Sequence, residues 1–492
     1  MVNIIEKLLA PVAGMSYFCR ERLVYMGLRS LRIVLPMLLG VLACAASVSS
    51  AAAQSLAGVW SGAIEVGGKR LPLVFRITDG GGAPVAVMDS PAQGAKGIPV
   101  DSIACDGMVV RMAITGLGVE VEGMRRGDTI TAVFRQGGLE LPLVLKCGDA
   151  ASAQPRRPQE PQSPFPYVCE EVTFLSGSDD VEMHGTLTLP AGEGPFAAVV
   201  LVTGSGTQNR DEELLGHKPF MVVADYLTRH GIAVLRYDDR EWGRTYDGAT
   251  TEDYAADALS AAAVLRRDRR IDPSRVGIAG HSEGGTIAFM CAARCDSVAF
   301  VISMAGMTIP GRECIVWQNR QALLRAGVPE RSADRYCTVI DLVFEQMSEA
   351  GRAFSAEEAE EIVSKAAGAA GVTDMPPVMR AELVKSVASA TPWFRFFVGY
   401  DPAEDVRRTR CDVLAMNGTS DTQVDAEANL GVLERCRELS GRLTVRRYDG
   451  LNHLFQHCVT GLSVEYYNIG ETFSEEALSD MAAWIAARHS AL

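Results

Sequence analysis

The sequence predicts an α/β protein in which helices cover both faces of a mostly parallel sheet, with a helical cap inserted into the sheet and a small all-β domain before it. Two patterns support this prediction. Apolar and polar residues alternate between Leu56 and Cys147, as they do in antiparallel strands. From Ala197 onward, short apolar runs alternate with helical segments, and such strands pair in parallel through right-handed crossovers.

Length and composition limit the classes of function. The chain has 492 residues, more than one ordinary domain, and its hydrophobic content of 48% suffices for a large core. Its formal net charge is −14. Because nucleic acids and anionic membrane surfaces repel an acidic protein, we expect neither as a partner.

Residues 1–54 have the pattern of a signal peptide. Arginines precede an apolar run from Ile33 to Val48, and Ala51-Ala52-Ala53-Gln54 provides an Ala-x-Ala cleavage site. The run is shorter than the roughly 20 residues of a membrane span, so we expect no stable span after the signal is removed. Val41-Leu42-Ala43-Cys44 is similar to a lipoprotein cleavage box, which makes Cys44 a candidate lipid anchor. We therefore expect an exported protein, periplasmic or extracellular.

Residues 55–148 are predicted to form the all-β domain, a small antiparallel sandwich or barrel. The alternation is clearest at Leu71, Leu73, Phe75 and Ile77, with glycine-rich turns between the strands. The segment contains no histidine, so we favour an accessory domain that packs or covers over a separate ligand-binding module. Residues 149–166 are proline-rich and polar and are predicted to be an interdomain linker.

Residues 167–307 are predicted to form the first part of the α/β domain. An antiparallel strand pair comes first, around a turn at Gly177-Ser178-Asp179. Buried strands separated by helices follow at Ala197 to Val202, Ile232 to Tyr237, Val276 to Ala279 and Phe300 to Ser303. Functional residues of such sheets lie in the loops after the carboxyl ends of the strands.

Residues 308–400 interrupt this alternation with helical patterns at Cys314 to Ala326, Ser332 to Glu349, Ala356 to Ala369 and Pro376 to Ala390. An insertion after a central strand indicates a helical cap that supplies apolar walls and excludes water, and a surface insertion without function is the alternative. The candidate wall residues are Trp317, Trp393, Phe394, Phe396 and Phe397. Residues 401–492 complete the sheet with strands Asp412 to Met416 and Leu443 to Tyr448.

Ten of the 12 cysteines lie beyond residue 54, and an exported protein can form disulfides. Their spacing matches neither a metal site nor a dense disulfide scaffold, so we expect no bound metal. Cys291 and Cys295 share one helix face and are expected to pack in the core. Pairing of Cys105 with Cys147 stays open.

The stretch Gly280-His281-Ser282-Glu283-Gly284 lies between a predicted strand and a predicted helix. This Gly-x-Ser-x-Gly pattern is typical of a sharp turn that presents the serine hydroxyl above a sheet, and a plain glycine-rich turn is the alternative. A serine needs a base to take its proton and an acid to orient the base. Asp421 and His453 follow later strands in the order that such sheets use.

Other residues compete for these roles. Asp425 and Asp401 are the alternatives to Asp421, and His457 is the alternative to His453. In another interpretation, Asp421 is a solvated turn residue without a catalytic role. We interpret His281 as a packing or polarising neighbour of the nucleophile.

The tetrahedral intermediate of acyl transfer needs N–H donors for its oxygen. We expect one donor to be the backbone N–H of Glu283. The other is expected from Ser205 or Gly206, in the loop Thr203-Gly204-Ser205-Gly206-Thr207 after a buried strand. Phosphate binding is the other common use of such a loop, but no Gly-Lys-Ser/Thr follows it.

Several motifs together resemble the bacterial α/β-hydrolase esterases with an N-terminal β domain, relatives of the prolyl oligopeptidase and dienelactone hydrolase groups. They are the Gly-x-Ser-x-Gly stretch, the segment from Thr203 to Asp211, Arg236-Tyr237-Asp238-Asp239-Arg240, and Asp89-Ser90-Pro91 in the β domain. The resemblance implies the α/β-hydrolase fold, carboxylesterase activity on short acyl esters, and Ser282, Asp421 and His453 as catalytic triad. One departure is Arg240-Glu241-Trp242-Gly243, where relatives usually have Arg-Gly-x-Gly.

The sequence therefore predicts a serine carboxylesterase that uses no metal or organic cofactor and acts on a small-molecule ester, as a monomer or small homo-oligomer. A prolyl-oligopeptidase-like peptidase is the nearest alternative, but those enzymes carry propellers far longer than this β domain. Acyltransfer uses the same groups. A non-catalytic lipid- or glycan-binding protein is the alternative from another class.

Overall fold

The computed structural model describes residues 55–66, 69–80, 84–148, 155–177, 179–243, 248–350 and 352–488. The predicted signal peptide, including Cys44, lies outside these residues. They fall into two compact units, one on each side of the gap at 149–154. Among the described residues, no helix is both long enough and apolar enough to cross a membrane.

The first unit is a single antiparallel sheet of nine strands in the order β4-β3-β2-β1-β9-β8-β7-β6-β5. Along β8 the inward residues Ile130, Ala132 and Phe134 are buried, which is the predicted alternation, and Trp60 lies fully buried in the same core. The strands are β1 Gly58–Val66, β2 Lys69–Asp79, β3 Pro84–Ser90, β4 Ala95–Val100, β5 Ser102–Asp106, β6 Val109–Ile114, β7 Val119–Arg126, β8 Thr129–Gln136 and β9 Leu139–Cys147.

The positions of Cys105 and Cys147 in this sheet bear on whether the two form a disulfide. Cys105 lies on β5 and Cys147 on β9, and strands β6, β7 and β8 separate them. Both thiols are free, so this pairing is not formed. Cys291 and Cys295 are also free, and the Sγ atom of Cys291 is buried against the carbonyl of Ala255, as expected for core packing.

The second unit contains an eight-stranded sheet in the order β10-β11-β13-β12-β14-β15-β16-β17. Strands β10 and β11 pair antiparallel, and every pair from β13 to β17 is parallel. The strands are β10 Val168–Leu175, β11 Glu182–Leu189, β12 Phe196–Val202, β13 Ile232–Tyr237, β14 Ile271–His281, β15 Phe300–Met304, β16 Asp412–Gly418 and β17 Leu443–Tyr448.

Helices cover both faces of this sheet, because its central strands are apolar on both sides. One face packs against α1 and α12 around Phe220 and Trp484, and the other against α2, α3 and α10 around Leu265 and Phe289. The helices outside the cap are α1 Pro219–Arg229, α2 Thr251–Arg267, α3 Glu283–Arg294, α9 Ala403–Arg408, α10 Ala426–Arg435, α11 Ser463–Tyr466 and α12 Glu475–Ala487. The predicted fold class is confirmed.

A group of helices lies between β15 and β16 and has its own core, centred on Phe344 and Val343. They are α4 Gly311–Arg325, α5 Glu330–Ala350, α6 Ala356–Ala369, α7 Pro377–Ala388 and α8 Pro392–Gly399. The sequence predicted the first four helices but not α8, because this short helix is half aromatic and begins at a proline. We call α4 to α8 the cap.

Part of the predicted linker is bound to the second unit. The guanidinium group of Arg157 donates to four backbone carbonyls, those of Leu215, Gly216, Tyr467 and Ile469. The amide of Gln159 donates to the carbonyl of Phe473. Residues 157 to 159 are therefore part of the packed α/β unit in the structure.

Candidate active site

Ser282 lies at the sharp turn between β14 and α3. Its φ of 56° is in the left-handed region, which a residue with a Cβ atom adopts only when its surroundings enforce it. Two glycines make the turn possible. A Cβ atom at Gly280 would lie 1.8 Å from the carbonyl oxygen of Gly284, and one at Gly284 would lie 2.2 Å from that of Val202. The turn therefore requires glycine at both positions.

Asp421 and His453 come together in the loops after β16 and β17. The Oδ2 atom of Asp421 is 2.8 Å from Nδ1 of His453, and both side chains are buried. The Oδ1 atom accepts the backbone N–H groups of Gln423 and Val424 at 2.8 and 2.9 Å. These bonds hold the carboxylate with its second oxygen toward His453, so Nε2 of His453 is the nitrogen left for proton exchange.

The rival residues occupy other positions. Asp425 caps α10 by accepting from the backbone of Glu427 and Ala428, and Asp401 is exposed and accepts from the backbone of Ala403. His457 pairs with Glu471, and its side chain is 68% exposed. None of the three is joined to the Asp421–His453 pair by a hydrogen bond in the described part of the chain.

His281 connects the serine turn to the loop of His453. Its Nε2 atom is 2.9 Å from the carbonyl oxygen of His453, and the two rings lie 4.6 Å apart. Its Nδ1 atom is 2.9 Å from Oε1 of Glu212. Because His281 is adjacent to Ser282 in the chain, these contacts place the His453 loop beside the turn.

The glycine loop after β12 packs directly on the nucleophile turn. A Cβ atom at Gly204 would lie 3.2 Å from that of Ser282. Gly206 has a φ of 92°, and Ser205 beside it is half-buried. Asp239 holds both sides of this loop, since it accepts from Thr203 Oγ1 at 2.8 Å and from the backbone of Gln208 at 2.7 Å.

Glu283 begins α3, so its backbone N–H is at the helix N-terminus, directly after Ser282. Its carboxylate is buried and accepts from Thr251 Oγ1 at 2.7 Å and from Nε1 of Trp393 at 2.9 Å. Burial raises the pKa of Glu283, while these donors lower it in part. The cap is thus tied to the predicted oxyanion donor through Trp393.

The sequence did not identify Glu212, Asp239 or Thr251 as parts of the site. Glu212 directly follows the motif that ends at Asp211, and Asp239 belongs to the second motif of the resemblance. A position in or directly beside these motifs is the signal that could have identified Glu212 and Asp239, and no such signal exists for Thr251. No group of three or more His, Cys, Asp or Glu side chains suited to a metal ion occurs among the described residues.

The comparisons with known proteins identify the family of the chain. A protein-family model described as the alpha/beta hydrolase family matches residues 199–458, more than half of the chain. The chain belongs to the alpha/beta hydrolase family. Esterase EstD of Thermotoga maritima is 30% identical over 315 residues, which cover 62% of this chain and 65% of that esterase. The chain therefore spans less than two thirds of the length of this curated relative.

Solved structures with a similar fold are more distant. The dienelactone hydrolase of Anabaena variabilis is 14% identical over 65% of this chain and 98% of its own, with a TM-score of 0.36. A puromycin-hydrolysing peptidase of Mycobacterium tuberculosis is 16% identical over 85% of this chain and 52% of its own, also with a TM-score of 0.36.

In this alpha/beta hydrolase, the loop at residues 240–243 contacts the glycine loop. Arg240 is buried and pairs with Asp257, and Glu241 accepts from Thr207 of the glycine loop and from Tyr254 of α2. Trp242 is 48% exposed. Glu241 therefore joins the glycine loop to α2.

Proposed function

We propose that this alpha/beta hydrolase is a serine carboxylesterase that cleaves short-chain acyl esters through an acyl-enzyme on Ser282. The observation that carries the proposal is the buried pair of Asp421 and His453. The carbonyl of His453 contacts the ring of His281, the residue before Ser282. The similarity to an esterase supports the same reaction class.

The proposed mechanism begins when Ser282 Oγ attacks the ester carbonyl and Nε2 of His453 takes its proton. Asp421 stabilises the imidazolium that forms. Backbone N–H groups of Glu283 and of Ser205 or Gly206 donate to the negative oxygen of the tetrahedral intermediate. His453 then gives the proton to the leaving alcohol. A water molecule, activated by His453, releases the carboxylic acid and restores Ser282.

A cavity next to the start of α3 is small, which favours a short acyl chain. Besides Glu283 and Thr286, it is lined mainly by apolar and aromatic side chains of the cap and its flanking loops, which are Met307, Ile309, Phe397, Tyr400 and Pro402. Ser282 does not line this cavity, so an acyl group on Ser282 would have to displace cap side chains to enter it. Long chains would need the cap helices to move, so we expect activity to fall as the chain lengthens.

The test is a substrate panel measured on the wild type and on Ser282→Ala. We expect p-nitrophenyl esters of two to four acyl carbons to react fastest, and aminoacyl and dipeptidyl anilides to react slowly. A fluorophosphonate probe should label the wild type and not Ser282→Ala. Faster hydrolysis of anilides would assign a peptidase, transfer to an added alcohol at the expense of hydrolysis an acyltransferase, and equal labelling of both proteins would exclude a serine hydrolase.

Export is a second part of the proposal, supported by the arginines, the apolar run and the Ala-x-Ala site before Gln54. Expression of the full chain in a bacterial host, followed by fractionation and N-terminal sequencing, tests it. We expect the mature protein outside the cytoplasm, with its N-terminus near residue 54. Lipid labelling of the product, abolished by Cys44→Ala, would instead indicate a lipid-anchored form.

A further inference from the structure

A second carboxylate and histidine lie beside the proposed triad. Oε1 of Glu212 is 2.9 Å from Nδ1 of His281 and also accepts the backbone N–H of Gly204 at 2.8 Å. On the other side of the ring, Nε2 of His281 faces the carbonyl oxygen of His453 at 2.9 Å. Glu212 thus contacts the glycine loop, and His281 contacts the loop that carries His453.

The hydrogen-bond partners define the protonation of His281. A backbone carbonyl can only accept, so Nε2 must carry a proton. Nδ1 faces a carboxylate oxygen that already accepts from Gly204, and this oxygen binds a second donor most strongly as an anion. The charged or titratable groups that face His281 are Glu212, His453 and Asp421. Burial lowers the pKa of His281, but the charge and hydrogen bond of Glu212 and the His453 carbonyl outweigh burial and raise it.

We propose that Glu212 and His281 form a carboxylate–imidazolium pair that positions the glycine loop and the His453 loop around Ser282. The proposal rests on the proposed esterase function and adds two positioning residues to it. Glu212 acts through Gly204, whose neighbours Ser205 and Gly206 are the expected oxyanion donors. His281 acts through the backbone of His453.

The backbone of Glu212 supports a specific role. Its φ is 51°, in the left-handed region, and its side chain is buried. A residue other than glycine, asparagine or aspartate rarely adopts this conformation, and such strain is concentrated at functional sites. The strained backbone directs the carboxylate to two donors, the N–H of Gly204 in the glycine loop and Nδ1 of His281 in the nucleophile turn.

The decisive variant is Glu212→Gln, with Glu471→Gln as its matched control. Glu471 also accepts from a histidine at 2.8 Å, that of His457, but this pair lies in solvent-exposed loops. For Glu212→Gln we expect kcat to fall about 10- to 100-fold, less than the roughly 10²- to 10³-fold loss of an oxyanion donor itself. KM should change less than kcat, and the alkaline limb of the kcat/KM profile should move to lower pH, because the amide no longer holds the second proton on His281.

Proton positions are measured independently of activity by nitrogen-15 NMR of the histidine rings in Ser282→Ala. We expect both nitrogens of His281 to be protonated at neutral pH in Ser282→Ala and only one of them in the double variant Ser282→Ala/Glu212→Gln. A singly protonated His281 in Ser282→Ala overturns the proposal even if Glu212→Gln does not fold. An unchanged pH profile and kcat for a folded Glu212→Gln overturns it as well. If the wild type shows no esterase activity, the proposed function fails, while the NMR result still decides the charge of the pair.

Discussion

Trp393 offers a quantitative test of the link between the cap and the nucleophile turn. Its Nε1–H donates to Oε1 and Oε2 of Glu283 at 2.9 and 3.1 Å, and its ring lies 5.5 Å from that of Phe397. The variant Trp393→Phe keeps an aromatic ring in the cap but removes this donor. Glu283 then remains buried and still accepts the hydrogen bond from Thr251 Oγ1 of α2.

The expected magnitude follows from the charge of the acceptor. A hydrogen bond to a charged group contributes about 1.5–3 kcal/mol, whereas a neutral one contributes about 0.5–1.5 kcal/mol. Trp484→Phe is the matched control, because Trp484 Nε1 donates to the neutral hydroxyl of Thr444 at 3.0 Å. We expect Trp393→Phe to lower the free energy of unfolding by about 1 kcal/mol more than Trp484→Phe. Trp484 is only 8% exposed, so its replacement by phenylalanine also removes packing contacts in the core. This loss reduces the expected difference in stability between the two variants.

The pH dependence gives the sign of the effect. Burial raises the pKa of Glu283, and loss of the Trp393 donor raises it further. An acid whose folded-state pKa exceeds the unfolded value of about 4.3 costs stability as pH rises past that value. The stability difference between Trp393→Phe and the wild type should therefore be small in acid and should grow toward neutral pH.

The assay is urea unfolding of wild type and both variants from pH 4 upward, together with kcat and KM for a short p-nitrophenyl ester. Because Glu283 also supplies the expected oxyanion N–H, kcat should fall in Trp393→Phe and not in Trp484→Phe. Equal destabilisation by the two variants at every pH would falsify the charge argument. An unchanged kcat in Trp393→Phe would separate the cap contact from catalysis.

Three further predictions concern single residues. Asp421→Asn should lower kcat roughly 10⁴-fold on a short ester while the midpoint of unfolding changes little, since the amide leaves His453 in the wrong tautomer; a loss below tenfold contradicts this role. Gly280→Ala should abolish folding or fluorophosphonate labelling because its Cβ atom would lie 1.8 Å from a backbone oxygen, whereas Gly368→Ala, with open space around its Cβ, should be neutral or stabilising in thermal unfolding. Burial lowers the pKa of His217 to about 4, so the wild type should lose stability as pH falls from about 6.5 to 4, and His217→Gln should lose less over that range.

The fold could be predicted because its signals are local. The central strands β12, β13 and β15 of the second unit are short apolar runs, and the glycines around Ser282 follow from the steric needs of one turn. The short helix α8 gave no clear signal, since it has only eight residues, begins at a proline and is half aromatic. Trp393 could therefore be predicted as an apolar wall but not as a donor to Glu283.

The contacts of Glu212 depend on features that a single sequence does not display. The residue lies 69 positions before its partner His281, and its orientation depends on a left-handed backbone conformation at a residue type that rarely adopts one. Propensity and periodicity assign it to an ordinary polar loop. Only the packing of the glycine loop against the turn at Ser282 brings its carboxylate to the site.

The two candidate bases, His453 and His457, differ in their burial and not in the distance to a carboxylate. Both His453 and His457 have a carboxylate oxygen 2.8 Å from Nδ1, so distance alone does not distinguish them. Burial does: the side chains of His453 and Asp421 are 5% and 0% exposed, and those of His457 and Glu471 are 68% and 28% exposed. Water weakens the exposed pair and leaves its imidazole without a fixed direction, whereas the buried carboxylate can orient and stabilise a protonated base. The position after the last strand of the sheet places His453 in the buried environment, and four residues further on the same loop has already reached solvent.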